Sequence, residues 1–352
     1  MPVNLFDRQR LIQLHEVHPR TPTFFARTFF PGRRTFNTET IKFDVMRGTR
    51  IMAPYSHRDL PAPTKAKLGY TTKYVSPPTI QEKVPTTAAH LYARDPGSHP
   101  YAEREAERAA ENDARELRDM ARRADRQINL ACARALITGQ IPIVGEGVNE
   151  TIDFGRPGAN DLGLIDAADR WSANTSDPIA WLTELFDFAT EQGLDVPPTH
   201  IILGREAAAA FIANEAVREA SDLLRMSLVS LEPRYERFAG IRVLGRLAGV
   251  PCDILVSLDT YVDPANVGAG AQPFVPPRSV TICSAAAENE IHFGAVAVSD
   301  PDSGTLELVE GEEVLDGWVD KEPAQAWIKR TTRPVPVVLH PETTVTAEVL
   351  AP

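Results

Sequence analysis

His15 and His18 bracket Glu16 and Val17, and two histidines beside a carboxylate are the first place to look for metal chemistry. The spacing is not HExxH, which sets two imidazoles one helical turn apart on one face. A solvated segment is the simpler reading. Asp161, Asp166 and Asp169 could offer oxygens to a hard cation, but they lack the calcium-loop spacing and its terminal glutamate. Cys132, Cys252 and Cys283 are odd in number, far apart and in no metal-like spacing, which fits reduced thiols better than a disulfide framework. No GxSxG elbow, GxxxxGK[ST] loop or GxGxxG loop occurs. The pairs Gly145/Gly147 and Gly268/Gly270 read as turns, and Glu307, Glu310, Glu312 and Glu313 as a solvated turn and strand edge. Trp171, Trp181, Trp318 and Trp327 read as core or interface anchors. The expectation is therefore no catalytic residue, no cofactor and no metal: a binding or structural protein.

The elements that would have positioned such groups are themselves unusual. At 352 residues the chain should form two or three lobes. A charged content of 24% marks it as globular. No apolar run is long enough to cross a membrane as a helix, and the first ten residues have no secretory h-region. Charge is divided unevenly. Residues 1–100 hold 15 Lys/Arg against 7 Asp/Glu, leaving 22 against 41 of the chain's 37 and 48. Such a split often marks an interaction arm, and the overall acidity argues against a dedicated nucleic-acid binder.

Seven of the fourteen phenylalanines fall within residues 1–45: Phe6, Phe24, Phe25, Phe29, Phe30, Phe36 and Phe43. The stretch TPTFFARTFFPGRR is apolar, basic and broken by proline. It must bury its rings, either on its own domain or as an extended arm on neighbouring copies. Ile41, Phe43 and Val45 alternate as one face of a strand. Residues 45–92 read as a two-stranded excursion with a Pro-rich tip near 54–65. A lone hairpin is marginal in water, so this one needs a second surface. Residues 101–138, between Pro100 and Gly139, read as one helix of roughly 38 residues and about 57 Å. Its narrow apolar stripe is Leu117, Ala121, Ala124, Ile128, Ala131 and Ala135. VNETIDFG reads as a hairpin, and residues 178–262 as an α/β lobe: a helix opened by Asp177-Pro178 and closed by Gly193, a buried strand at 200–204, an alanine-rich helix, and strands at 241–245 and 252–259. RSVTIC, AWIKRTTR, PVPVVLH and TTVTAEVL return to β.

In this order the sequence resembles the lambda-type family of tailed-phage major capsid (major head) proteins, the capsid E family. The motifs that carry the resemblance are the aromatic arm at Phe24–Phe30, the strand Phe36–Asp44, Arg50–Tyr55, the run Gly69–Lys83 (GYTTKYVSPPTIQEK), the charged helix, Ile152-Asp153-Phe154-Gly155, Trp171, and the terminal stretches Trp327–Pro334 and Leu339–Glu342. Each is unspecific alone; their order over most of the chain is not. Residues 205–285 match only in pattern.

The resemblance implies an α+β chain with the Hong Kong 97-type capsid fold: an N-terminal arm (1–44), an extended E-loop (45–92), a peripheral domain (93–177 and 279–352) with the spine helix 101–138, and an axial domain (178–278). It implies a structural protein of the virion head, assembled in the host bacterial cytoplasm, forming hexamers and pentamers of an icosahedral shell around double-stranded DNA. Its partners would be further copies of itself, a separate scaffolding protein (only about 44 residues precede the loop), a portal protein at one vertex and, where one exists, a decoration protein, with no membrane. Contacts between subunits are expected at Phe24, Phe25, Phe29, Phe30, Arg33, Arg34, Tyr55, Lys65, Lys67, Tyr70 and Tyr74, the basic arm and loop docking on acidic neighbours. The rival readings are an encapsulin-like nanocompartment shell, a two-lobed enzyme with an unfamiliar site, and a portal or tail-tube protein.

Overall fold

The computed structural model describes residues 23–46, 52, 55, 70–87, 105–145, 147–173, 176–193, 196–224, 238, 240–247, 250–299, 305–322 and 324–351. The first element is short. Helix α1 (Phe24–Phe29) puts Phe24, Phe25 and Phe29 on one face, and Phe30 follows; all four rings are fully buried. One of the amides that a helix start leaves without a partner is satisfied from another element, as Ala26 N–H donates to Oδ1 of the buried Asn129 at 3.1 Å. Asn129 belongs to α2 (Glu105–Thr138), 34 residues or about 51 Å of helix. Of the expected stripe, Leu117, Ala124, Ile128 and Ala135 are buried, while Ala121 and Ala131 are partly so. From Ile128 onward burial widens to Leu130, Cys132, Ala133, Leu136 and Ile137, because α1 and several strands cover that half. Gly139 ends the helix at φ +69°, a left-handed turn that favours glycine.

Strand β1 (Gly32–Thr35) does not stay free. It pairs in parallel with β14 (Glu290–Phe293), which pairs antiparallel with β19 (Pro334–Val337). The β2 (Ile41–Met46) and β3 (Tyr70–Val75) strands form the expected two-stranded ribbon, with Ile41 opposite Val75 and Met46 opposite Tyr70. Most of the Pro-rich tip lies outside the described residues. The ribbon begins at 41, four residues before the expected 45, and its return strand stops at 75. Pro77 and Pro78 interrupt the ladder, and β4 (Ile80–Thr87) joins a different sheet. That sheet, in the order β17 (Val314–Lys321), β18 (Ala324–Thr332), β4, keeps an unbroken register. Leu315, Ile328 and Val84 on its inner face pack on Leu117 and Met120 of the long helix.

The main sheet has six strands: β7 (Asp161–Leu164), β20 (Val345–Glu348), β13 (Ser279–Cys283), β8 (His200–Leu203), β10 (Val250–Ser257) and β9 (Ile241–Leu247), in that spatial order. It draws strands from both sides of residues 178 and 278, so the expected borders of the axial domain cut through it. Non-local pairing, such as Ile282 with Val345, decides this, and no local pattern reports it. Helices α3 (Pro178–Gln192), α4 (Arg205–Ala213) and α5 (Glu215–Leu224) accompany this sheet. Asp177 caps α3 by accepting from Ile179 N and Ala180 N. Three small pairs complete the fold: β5 (Gln140–Gly145) with β6 (Val148–Asp153), β11 (Thr260–Tyr261) with β12 (Gln272–Pro273), and β15 (Val296–Ser299) with β16 (Leu306–Val309).

The aromatic segment sits where these parts meet. Phe24 lies edge-on to Phe25, Phe29 and Phe238 at 5.2–5.7 Å; Phe25 stacks on Phe274; Phe29 lies edge-on to His200 at 5.1 Å. Replacing Phe29 by alanine should cost roughly 3–5 kcal/mol of subunit stability, as in other buried aromatic truncations. Urea unfolding of the unassembled chain tests this; an unchanged midpoint would show that the ring does not hold the subunit together.

Candidate assembly surfaces

The predicted contact residues separate into three groups. Phe24, Phe25, Phe29 and Phe30 are inside the chain's own core, the first of the two ways such rings can be buried. A ring with no accessible surface in the folded subunit has none to offer a neighbour, which corrects their assignment as contacts. Phe25 and Phe29 lie one turn apart at i and i+4 with Phe24 beside them, and that face found α2 in the same chain.

Arg33 and Arg34 also find partners within the subunit. Arg33 pairs with Glu312, and Arg34 Nη2 lies 2.7 Å from Glu290 Oε1. Thr35 Oγ1 donates to Glu310 Oε1 at 2.5 Å. The acidic run 307–313 is thus not simply solvated, as the sequence had implied. Glu310 and Glu312 hold the arm strand, and Glu313 pairs with the buried Arg330 at 2.6 Å. The basic pair at 33–34 facing a run of glutamates was the available signal, but nothing local says which copy supplies the acids. Glu290 reaches both ways along the seam, its Oε2 lying 2.9 Å from Nε2 of His292. Gly32 leaves room for it, since a Cβ there would come within 2.7 Å of Glu290 Cγ. Phe36 covers His292 at 5.0 Å between ring centres.

The remaining predicted residues concern the ribbon. Tyr74 is exposed, with Lys42 Nζ 5.2 Å from its ring centre. Tyr70 begins β3, Tyr55 is fully exposed, and Lys65 and Lys67 lie outside the described residues. Lys73 anchors the ribbon's root by donating to Asp153 O at 2.7 Å, and Phe43 packs on Phe154.

Other surfaces were not among the expected contacts. On the β15–β16 pair, Val296 and Val298 face inward, whereas Leu306 and Leu308 on the opposite face are 78% and 66% exposed. The β5–β6 hairpin buries Ile141 and Ile152 and exposes Val144 and Val148. Trp318 and Trp327 stack at 6.1 Å across β17 and β18, with Lys83 Nζ 4.5 Å from the Trp327 ring. Alternation in these strands is imperfect, and only the fold shows which face lacks cover.

Chemistry has little to work with. Among the described residues no three His, Cys, Asp or Glu side chains come together as a metal site. His15 and His18 lie outside them. The three thiols are free and buried. Burial pushes Cys252 up to about 12, and Cys132 and Cys283 upward too, which keeps them from acting as nucleophiles. A cleft of about 630 Å³ lies beside Trp171, Asn214 and Arg218.

The sequence matches the family described as Phage major capsid protein E over residues 7–349. Solved structures are similar over nearly the whole chain. The putative capsid protein of a prophage of E. coli CFT073 is 20% identical, covering 97% of this chain and 99% of its own, with a TM-score of 0.71. A phage-related protein from Bordetella bronchiseptica RB50 is 14% identical, covers 97% of each chain and has a TM-score of 0.54. The capsid of cyanophage P-SCSP1u is 9% identical over 95% of this chain and 90% of its own, with a TM-score of 0.50. No curated protein matches the sequence. At these identities the likeness shows the fold, the α+β Hong Kong 97-type capsid fold.

The arm seam should respond to pH. Burial lowers the pKa of His292 from its usual 6.5, against the pull of Glu290 and with Arg34 adding repulsion. Its contribution to stability is therefore complete above 6.5 and is lost as pH falls through the lowered folded value. Thermal melting of the subunit from pH 7.5 to 5 should show this loss, and His292→Gln should flatten it. Equal slopes for the two proteins would remove His292 as the cause.

Proposed function

The chain belongs to the phage major capsid protein E family, and on that premise we propose that its copies form the hexamers and pentamers of an icosahedral head enclosing packaged double-stranded DNA. As a major capsid protein it is structural and not an enzyme, it assembles with itself into a shell, and its place is the virion head.

The observation that carries the finer reading is the apolar surface left outward on two-stranded ribbons. A two-stranded ribbon is marginal alone, yet Tyr74, Val144, Leu306 and Leu308 all point away from their own core. Copies of the chain supply the missing cover. In this reading β2–β3 is the root of an E-loop whose basic residues, Lys65 and Lys67 among them, lie on a neighbour together with Tyr55, Tyr70 and Tyr74. The long helix α2 with the sheet β17–β18–β4 serves as the peripheral domain. The six-stranded sheet with α3, α4 and α5 serves as the axial domain, turned toward the five-fold and six-fold centres. Shape and closure are assigned to a separate scaffolding protein. A portal occupies one vertex, a decoration protein joins where one exists, and assembly takes place in the host cytoplasm. The DNA is enclosed without sequence-specific binding, in keeping with a net charge of −11.

Expression of the chain with and without its scaffolding protein, followed by a sizing column and electron microscopy, tests this. Hollow shells with the scaffold, and sheets, tubes or irregular shells without it, are expected. A monodisperse monomer or small oligomer under both conditions would overturn the reading. Uniform shells from the chain alone would remove the scaffold from it.

A further inference from the structure

The six-stranded sheet ends in two unlike edges, and among the described residues no strand pairs with the outer side of either. At one end is β7. From Asp161 to Asp169 every residue except Ile165 is exposed, Leu162 and Leu164 to 42% and 40%. Asp166 and Asp169 follow them at the surface, while Asp161 pairs with Arg156. At the other end is β9, with Arg242 and Arg246 exposed, the latter paired with Asp253. Leu258 N–H donates to Gly240 O at 2.7 Å, which sets Leu258 beside the start of β9. Leu258 is itself 42% exposed. The β7 edge thus presents two partly exposed apolar side chains beside acidic charge, and the β9 edge presents basic charge with the partly exposed Leu258 beside its start.

We propose that the β7 edge of one copy docks on the β9 edge of the next, with Leu162 and Leu164 against Leu258, and Asp166 and Asp169 facing Arg242. This rests on the shell reading above and names the surfaces by which neighbouring copies meet. Two unlike surfaces on opposite sides of one sheet, separated by five strand spacings or about 24 Å, make a head-to-tail contact. Repeated with a rotation that closes, such a contact forms a ring. The edges themselves disfavour growth by strand pairing. The β7–β20 and β9–β10 pairings both shift register, and bulged edges resist continuation of the backbone ladder. Contact therefore runs through side chains. The apolar residues supply most of the attraction, while the charges select which edge meets which, since exposed ion pairs are individually weak.

The test is charge reversal and its rescue in the full chain, assembled under the conditions that give wild-type shells. Arg242→Glu alone, and Asp166→Arg with Asp169→Arg, should each raise the concentration needed for assembly by up to roughly fivefold, the scale of one exposed pair per contact. The triple variant should return to near the wild-type concentration. Circular dichroism and melting of the unassembled chain establish that each variant folds. Leu162→Gln with Leu164→Gln makes the same test without charge and should also impair assembly. An unchanged requirement for Arg242→Glu or for the Leu pair overturns the contact. So does a triple variant no better than folded but defective parents. A wild-type chain that forms no shell or ring under any condition overturns the shell reading itself, and this contact with it.

Discussion

Burial of the aromatic arm against the C-terminal half of the long helix is the constraint on which the other parts depend. Four phenylalanine rings, with Phe238 and Phe274, fill the junction between α2 and the strand end that carries His200. Burying a side chain of this size stabilises by roughly 1.5–3 kcal/mol relative to exposure. Four of them at one junction are comparable with the whole stability of an ordinary domain. Taking the arm away would leave a helix exposed on its most apolar stretch and a sheet without cover at one end. The arm is therefore part of the subunit's core before it can be part of any contact.

That core contrasts with the periphery. Inside, few described polar groups lack partners, and even the first turn of α1 borrows an acceptor from α2. Outside, three separate two-stranded ribbons leave apolar side chains in water. An enzyme of this size would gather polar groups toward one pocket. Here the unsatisfied surface is apolar, extended and scattered around the perimeter, as suits a subunit that meets several neighbours at once.

Charge in this chain first orders the subunit itself. The sequence holds a basic first hundred residues and an acidic remainder, and the described part of that attraction closes within one subunit. Arg33 meets Glu312 and Arg34 meets Glu290. These are exposed pairs and individually weak. Their effect is positional, keeping β1 in register on β14 so that the segment leaving it enters the ribbon from a fixed point.

Several features needed only local chemistry to be legible. The long helix with glycine at its end, the Asp177 cap, and the strands at 200, 241 and 252 follow from periodicity and capping, which act within a few residues, whereas the hairpin expected within VNETIDFG is one strand, paired with 140–145. The order of motifs along the chain carried the family, since order survives where identity does not. Other features were decided only by tertiary structure. Whether Phe24–Phe30 would face their own core or a neighbour, and whether the glutamates at 310 and 312 would be solvated or would hold Arg33 and Thr35, depends on which distant segment arrives. So does the crossing of strands 161–164, 279–283 and 345–348 into one sheet with 200–203. A side chain's type records that it needs burial or a partner. Only the packed fold determines which partner comes within reach, because pairing between segments separated by tens to hundreds of residues leaves no mark in the local sequence of either.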